Sequence, residues 1–196
     1  TIPLWVAAIG SVVAIVVVKQ FFGGIGQNFV NPALVGRIVL MASFPTMMST
    51  WVQPFAWRGV QVVTTASPLA SISSMFTAGD VSAAATASNP ALPSLWQMLI
   101  GQRQGSLGEV CALALLLGFA YLLIRRVITP VIPLTYIGTV AVIMLIAGKG
   151  SLSFVAYEIL GGGLLLGAIF MATDYTTSPI NFKGKLIYGV GCGILT

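Results

Sequence analysis

Apolar positions in this 196-residue chain cluster in long, mostly apolar blocks. Blocks near 2–18, 33–48, 107–124, 131–147 and 154–173 approach the length of a helix that crosses the hydrocarbon layer of a bilayer, about 20 residues, and the start of a further one occupies 186–196. They predict six crossings or part-crossings in a single transmembrane domain over 1–196. Between the second and third blocks the pattern changes. Residues 49–106 are rich in Ser, Thr, Ala, Gly and Pro, too polar to sit in lipid, and read as a long loop. Inside it, LWQMLI at 95–100 predicts a short interfacial helix, with Trp96 at the headgroup level.

Composition narrows the class. The chain is 57% hydrophobic and 7% charged, which excludes an ordinary soluble domain and places it among integral membrane proteins. Twenty-two glycines and ten prolines suit membrane helices that pack closely or break. The expected fold class is all-α: a polytopic membrane helix bundle with broken or re-entrant segments. The net charge of +5 is scattered singly or in pairs beside apolar blocks, with no basic stripe interleaved with aromatics, so nucleic acid is not an expected partner. With no histidine and only Cys111 and Cys192, both inside apolar blocks, no metal site or disulfide framework is expected. The first block has neither a basic leader nor a cleavage site and reads as a span. The chain starts without methionine and stops inside the sixth block, so it reads as a piece of a longer protein.

Charge also orients the spans. Parity puts Lys19, Arg37, Arg125, Arg126, Lys183 and Lys185 on one side and Arg58, Arg103 and Lys149 on the other, so the first side is expected to face the cytoplasm. The loop 49–106 then faces the periplasm or exterior. Two segments on the cytoplasmic side, NPALVGRIV from Asn31 and SPINFKGKLIYG from Ser178, share a small polar residue, a proline, a glycine and a cation ahead of an apolar helix. They are compatible with an internal repeat of broken helices as in transporters, and equally with ordinary helix-start chemistry.

Three constellations carry candidate chemistry. FFGGIGQNFVNPALVGR at 21–37 sets glycines beside Asn28 and Asn31, amides that either cap the following helix or offer donor and acceptor to a heterocycle edge. Glu109, Glu158 and Asp174 lie in or beside apolar blocks, where an ionised carboxylate is costly unless paired or wetted, so each is a candidate for an ion path or for a structural pairing. VVTTASPLASIS at 62–73 gathers Thr64, Thr65, Ser67, Ser71 and Ser73 around Pro68. Those hydroxyls serve either as turn and cap groups or as acceptors of a covalent group. A serine nucleophile has no support without histidine or a Gly-x-Ser-x-Gly elbow.

In order along the chain, GGIGQNFVNPALVG, FPTMMSTW, VTTASPLA, GSLGEV and MATDYTTSPINFKGK resemble the RnfD and NqrB family of membrane subunits of ion-pumping redox complexes, the former more closely. The resemblance covers nearly the whole chain and implies an electron-transfer subunit of a ferredoxin:NAD oxidoreductase in a prokaryotic inner membrane, working with other complex subunits and moving Na⁺ or H⁺. It implies FMN joined through its phosphate to a hydroxyl of the outward loop by a flavin transferase. On the family motif Asp-Gly-x-Ser-x-Ala-Thr, Ser67 stands at the flavin-bearing threonine, Thr64 at the serine and Gln61 at the acidic position, with Thr65 as a neighbouring acceptor. It also implies a non-covalent riboflavin near Asn28 and Asn31, and links Asp174 with cation handling. A catalytic site complete on this chain is not expected: it lacks a dinucleotide fingerprint and cluster-binding cysteine spacing. The rival expectation is a channel or secondary transporter of inverted-repeat type without redox function.

Overall fold

The computed structural model describes residues 2–24, 26–52, 64–65, 69, 71–73, 92–106 and 108–196, with backbone alone at 51, 52, 64 and 65. Among the described residues the chain is helical, apart from one two-residue antiparallel pair, β1 (Trp51–Val52) and β2 (Thr64–Thr65), in the register Trp51 to Thr65. It divides into two compact units: Thr1–Thr50 with Asp174–Ser178, and Trp51–Thr173 with Pro179–Thr196.

In the first unit, α1 (Leu4–Gln20) begins with α-helical turns and widens to π-helical turns from Val13 to Gln20. The Phe21 amide accordingly reaches back five residues, to the Val16 carbonyl at 3.1 Å. Next, α2 (Pro32–Ser43) starts where proline's missing N–H is no loss, and the Asn31 side chain caps it. The apolar block at 33–48 does not run as one helix. It breaks at Phe44, and α3 (Pro45–Ser49) restarts with a proline in its first turn. Helices α1 and α2 meet at glycines: a Cβ at Gly36 would lie 3.0 Å from the Gly10 carbonyl, and one at Gly10 would lie 2.6 Å from Leu40. Packing through small residues is how apolar helices associate where burial from water supplies no drive.

In the second unit, α4 (Leu95–Ile100) is closed at its front by a reciprocal Ser94–Gln97 capping box and at its end by Gly101 at φ 98°. Helices α5 (Ala112–Ile124) and α6 (Val131–Ala147) follow. The block at 154–173 is interrupted at Gly161, Gly162 and Gly163, giving α7 (Leu152–Gly161) and α8 (Leu164–Met171), which are bent by 67°. That pair is the broken segment the glycine content predicts. The last helix, α9 (Phe182–Leu195), packs on α6 at Gly189, which faces Thr135, and at Gly193, where a Cβ would lie 2.6 Å from Thr139. Two apolar clusters fill the unit: Ile72, Leu92, Met98, Phe154 and Tyr157, and Ala112, Leu115, Leu165 and Ile169. Among the described residues no single helix is long and apolar enough by itself to cross a membrane; the α7–α8 pair passes by length and composition.

The two segments compared as a possible repeat differ locally. Asn31 caps α2 with Pro32 at its first position, whereas α9 starts after Asn181, whose side chain makes no cap bond, and Pro179 lies outside the helix.

Candidate functional site

A cavity of about 360 Å³ lies in the first unit, lined by Ala14, Lys19, Asn28, Asn31, Asp174 and Thr176 among others. The π-helical part of α1 forms one wall, contributing Ala14, Ile15 and Lys19. Such wide turns are uncommon in helices and frequent at functional sites. The connection from α1 to α2 supplies the amides. There the chain turns through Gly23, Gly24 and Gly26, whose φ angles of 106°, 89° and 82° are closed to most side chains, and Phe22 rests edge-on against Phe29 at 4.8 Å.

The two asparagines have opposite free ends. Asn31 Oδ1 accepts from the Ala33 amide at 3.0 Å and the Leu34 amide at 3.4 Å, which satisfies two unpaired donors at the start of α2. Its Nδ2 has no partner among the described residues. Asn28 is buried, and its Nδ2 donates to the Val30 carbonyl at 3.0 Å and to Thr176 Oγ1 at 3.2 Å. Its Oδ1 has no partner among the described residues. The cavity therefore has a spare donor on Asn31 and a spare acceptor on Asn28.

Behind Asn28 stands the turn Asp174–Ser178. Asp174 Oδ2 accepts from the Thr176 hydroxyl at 2.9 Å and the Thr177 hydroxyl at 3.5 Å, and Oδ1 accepts from the Thr176 amide at 3.5 Å. A continuous chain of hydrogen bonds thus joins the Asp174 carboxylate through Thr176 to Asn28. Sequence alone singles out Asn28, Asn31 and Asp174 separately; the fold brings them to one cavity. It does not single out Lys19, which reads only as a topology signal, or Thr176, for which adjacency to Asp174 is the sole sign.

A second polar cluster sits at the α7–α8 break. Arg103 is only 3% exposed, although the charge pattern places it among solvated outward cations. Its guanidinium donates to the carbonyls of Gly161, Glu109, Val110 and Gly162, two of them at the end of α7. Burial pulls the guanidinium below its ordinary pKa, and the Glu109 carboxylate offsets that in part. Glu109 is also buried; its Oε1 accepts from the Ser106 amide at 3.0 Å, and a Cβ at residue 163 would lie 2.6 Å from Oε2, just ahead of α8. The cation thus meets the carbonyl end of one half-helix and the anion the amide end of the next, the arrangement that helix dipoles favour. Glu109 lies outside α5, which begins at Ala112 with Cys111 before it.

Glu158 lies half-buried on α7, away from this cluster's hydrogen bonds, and has no partner among the described residues. Thr64 and Thr65 form β2, whereas Ser67, Gln61 and Pro68 lie outside the described residues.

Comparison with known proteins supplies the remaining context. The model of the NQR2, RnfD, RnfE family matches residues 1–196. The chain is 44% identical over 195 residues to a subunit of the Na(+)-translocating ferredoxin:NAD(+) oxidoreductase complex of Acetobacterium woodii, covering 99% of this chain and 56% of that protein. It is 39% identical over 204 residues to a subunit of the proton-translocating ferredoxin:NAD(+) oxidoreductase complex of Clostridium ljungdahlii, covering 100% and 58%. A more distant relative is a subunit of the Na(+)-translocating NADH-quinone reductase of Chromohalobacter salexigens, 34% identical over 206 residues, covering 100% and 46%. The chain therefore spans about half the length of these relatives. With a family match from its first residue to its last, the chain belongs to the NQR2, RnfD, RnfE family.

Proposed function

We propose that this chain is the flavin-carrying part of a membrane electron-transfer subunit in an ion-translocating ferredoxin:NAD⁺ oxidoreductase complex. The observation that carries the reading is the cavity edge of Asn28 and Asn31. A flavin's pyrimidine ring carries an imide, an N–H flanked by two carbonyls, and the acceptor on Asn28 with the donor on Asn31 complements such an edge. At about 360 Å³ the cavity has the size of a small-molecule site. Asn28 and Asn31 would hold riboflavin there, with Lys19 and Asp174 as the charged groups nearby. Riboflavin would supply the capacity to accept and pass on electrons; the chain supplies binding, orientation and exclusion of water.

The covalent FMN belongs to the same proposal. Ser67 is its attachment residue, with Thr64 and Thr65 as alternative hydroxyls, and a flavin transferase is the maturation partner. Attachment suits a loop in water, because a tether keeps the cofactor at high effective concentration without a deep pocket. The chain crosses the cytoplasmic membrane several times, with the loop on the periplasmic or outer side. Large exposed apolar side chains such as Leu4, Ile124, Ile146 and Leu195 support contact with lipid or neighbouring subunits. The transported cation is Na⁺ or H⁺, since the names of the relatives divide between the two. Asp174, at the cavity, is its leading carboxylate, with Glu158 and Glu109 as further candidates.

The test uses the full-length protein, co-expressed with a flavin transferase. Fluorescence of the denatured polypeptide on a gel, with peptide fragmentation placing a flavin phosphoester on Ser67, is the expected result. A dark band combined with solute flux through reconstituted vesicles would instead support the channel or transporter reading, which the 67° helix break alone accommodates.

A further inference from the structure

Resting on the cavity as a flavin site, the hydrogen-bond directions assign a role to Thr176 that its sequence position does not suggest. A threonine hydroxyl has one hydrogen. Thr176 gives it to Asp174 Oδ2 at 2.9 Å, and a carboxylate can only accept. Toward Asn28 the same oxygen can therefore only accept, so it meets the Asn28 amide at its NH₂ end, at 3.2 Å. The Val30 carbonyl takes the other amide hydrogen at 3.0 Å. Both hydrogens of Asn28 are thus spent inside the protein, and what remains for the cavity is the Oδ1 acceptor alone.

We infer that Thr176 is a specificity-determining positioning residue: held by Asp174, it fixes the Asn28 amide so that the cavity selects a heterocycle whose edge donates an N–H. Thr176 does not touch the ligand in this account. It acts through Asn28, and Asp174 acts through Thr176. An imide N–H meets the Asn28 oxygen, while a ring methylated at that nitrogen brings a methyl group against a buried acceptor and leaves it unpaired. An unpaired buried polar group is costly, which gives the site discrimination that apolar packing alone would not. Without the Thr176 hydroxyl, one Asn28 N–H is released, and the amide can turn a donor toward a ring carbonyl.

The experiment measures a ratio. The full-length subunit in its assembled complex, depleted of non-covalent flavin, is titrated by equilibrium dialysis with riboflavin and with 3-methylriboflavin. The wild type is expected to prefer riboflavin by about tenfold or more, the scale of one lost buried hydrogen bond. Thr176→Val, which keeps the shape and loses the hydroxyl, is expected to bring the two affinities within about threefold, and Thr176→Ser to restore the preference. A general packing defect would weaken both ligands together and leave the ratio unchanged. The inference is overturned by a wild-type ratio near one, by a Thr176→Val protein that keeps the wild-type ratio, or by a Thr176→Ser protein that loses it. The wild-type ratio needs no variant to fold. Absence of riboflavin binding by the wild type overturns the flavin reading as well, whereas binding without discrimination overturns this inference alone.

Discussion

The cavity of the first unit and the helix break of the second are both polar places in an apolar chain, but they use their polar groups differently. At the break, Arg103 turns all its donor nitrogens inward onto four carbonyls, with Glu109 beside it. At the cavity, Asn28 and Asn31 each satisfy one end within the protein and leave the other end to the space beyond. The first arrangement stabilises backbone ends that lipid or packed side chains could not solvate. The second is stable on its own and still has hydrogen-bonding capacity to offer. The broken helix at residues 161–163 is therefore a structural joint, and the binding edge proposed for the first unit lies where two asparagines keep a spare donor and a spare acceptor.

The largest effect should come from the break. Arg103→Met would orphan the carbonyls that end α7 and leave Glu109 buried without its cation; a loss of about 3–5 kcal/mol is expected, read as the denaturation midpoint of the full-length protein. A loss under about 1 kcal/mol would mean that Arg103 is no joint.

Next comes the helix contact that frames the second unit. Gly193→Leu places a side chain where a Cβ alone would be 2.6 Å from Thr139, and about 1–3 kcal/mol of destabilisation is expected by the same measurement. Gly191→Leu is the control on the same helix, because a Cβ there meets nothing within 4 Å; it should be near neutral.

The smallest stability effects and the sharpest contrast belong to Asn31. Asn31→Ala removes the cap and should cost about 1 kcal/mol along with flavin affinity. Asn31→Asp keeps an oxygen for the Ala33 and Leu34 amides, and its charge suits a helix start, so stability should hold within about 0.5 kcal/mol. It removes the Nδ2 donor, and riboflavin retention should fall by about tenfold. If affinity and stability instead fall together, or neither changes, Asn31 is a cap and nothing more.

How much of this is legible in the sequence differs between the two regions. Local features are. Asn31 before Pro32 announces a capped helix, and the three consecutive glycines from Gly161 explain why a long apolar block bends. The individual suspects at the cavity are also legible, because an amide or carboxylate beside apolar blocks needs a reason. Their meeting is not: Asn28 and Thr176 are 148 residues apart, and which end of an amide is spent depends on neighbours that the fold supplies. Arg103 fails differently. Hydropathy assigns a lone cation to water, and only the three-dimensional path of the chain shows that helix carbonyls take its place. The motif ending at Ser67 enters through resemblance alone, and Ser67 itself lies outside the described residues.

The most direct test of the account is an experimental structure of the assembled, full-length complex at a resolution that shows ring orientation. The account predicts a non-covalent isoalloxazine ring in the first-unit cavity, its imide edge against Asn28 Oδ1 and Asn31 Nδ2, with Thr176 bridging Asn28 to Asp174. Density for lipid or water alone in that cavity, with every flavin of the protein bound elsewhere, would contradict it.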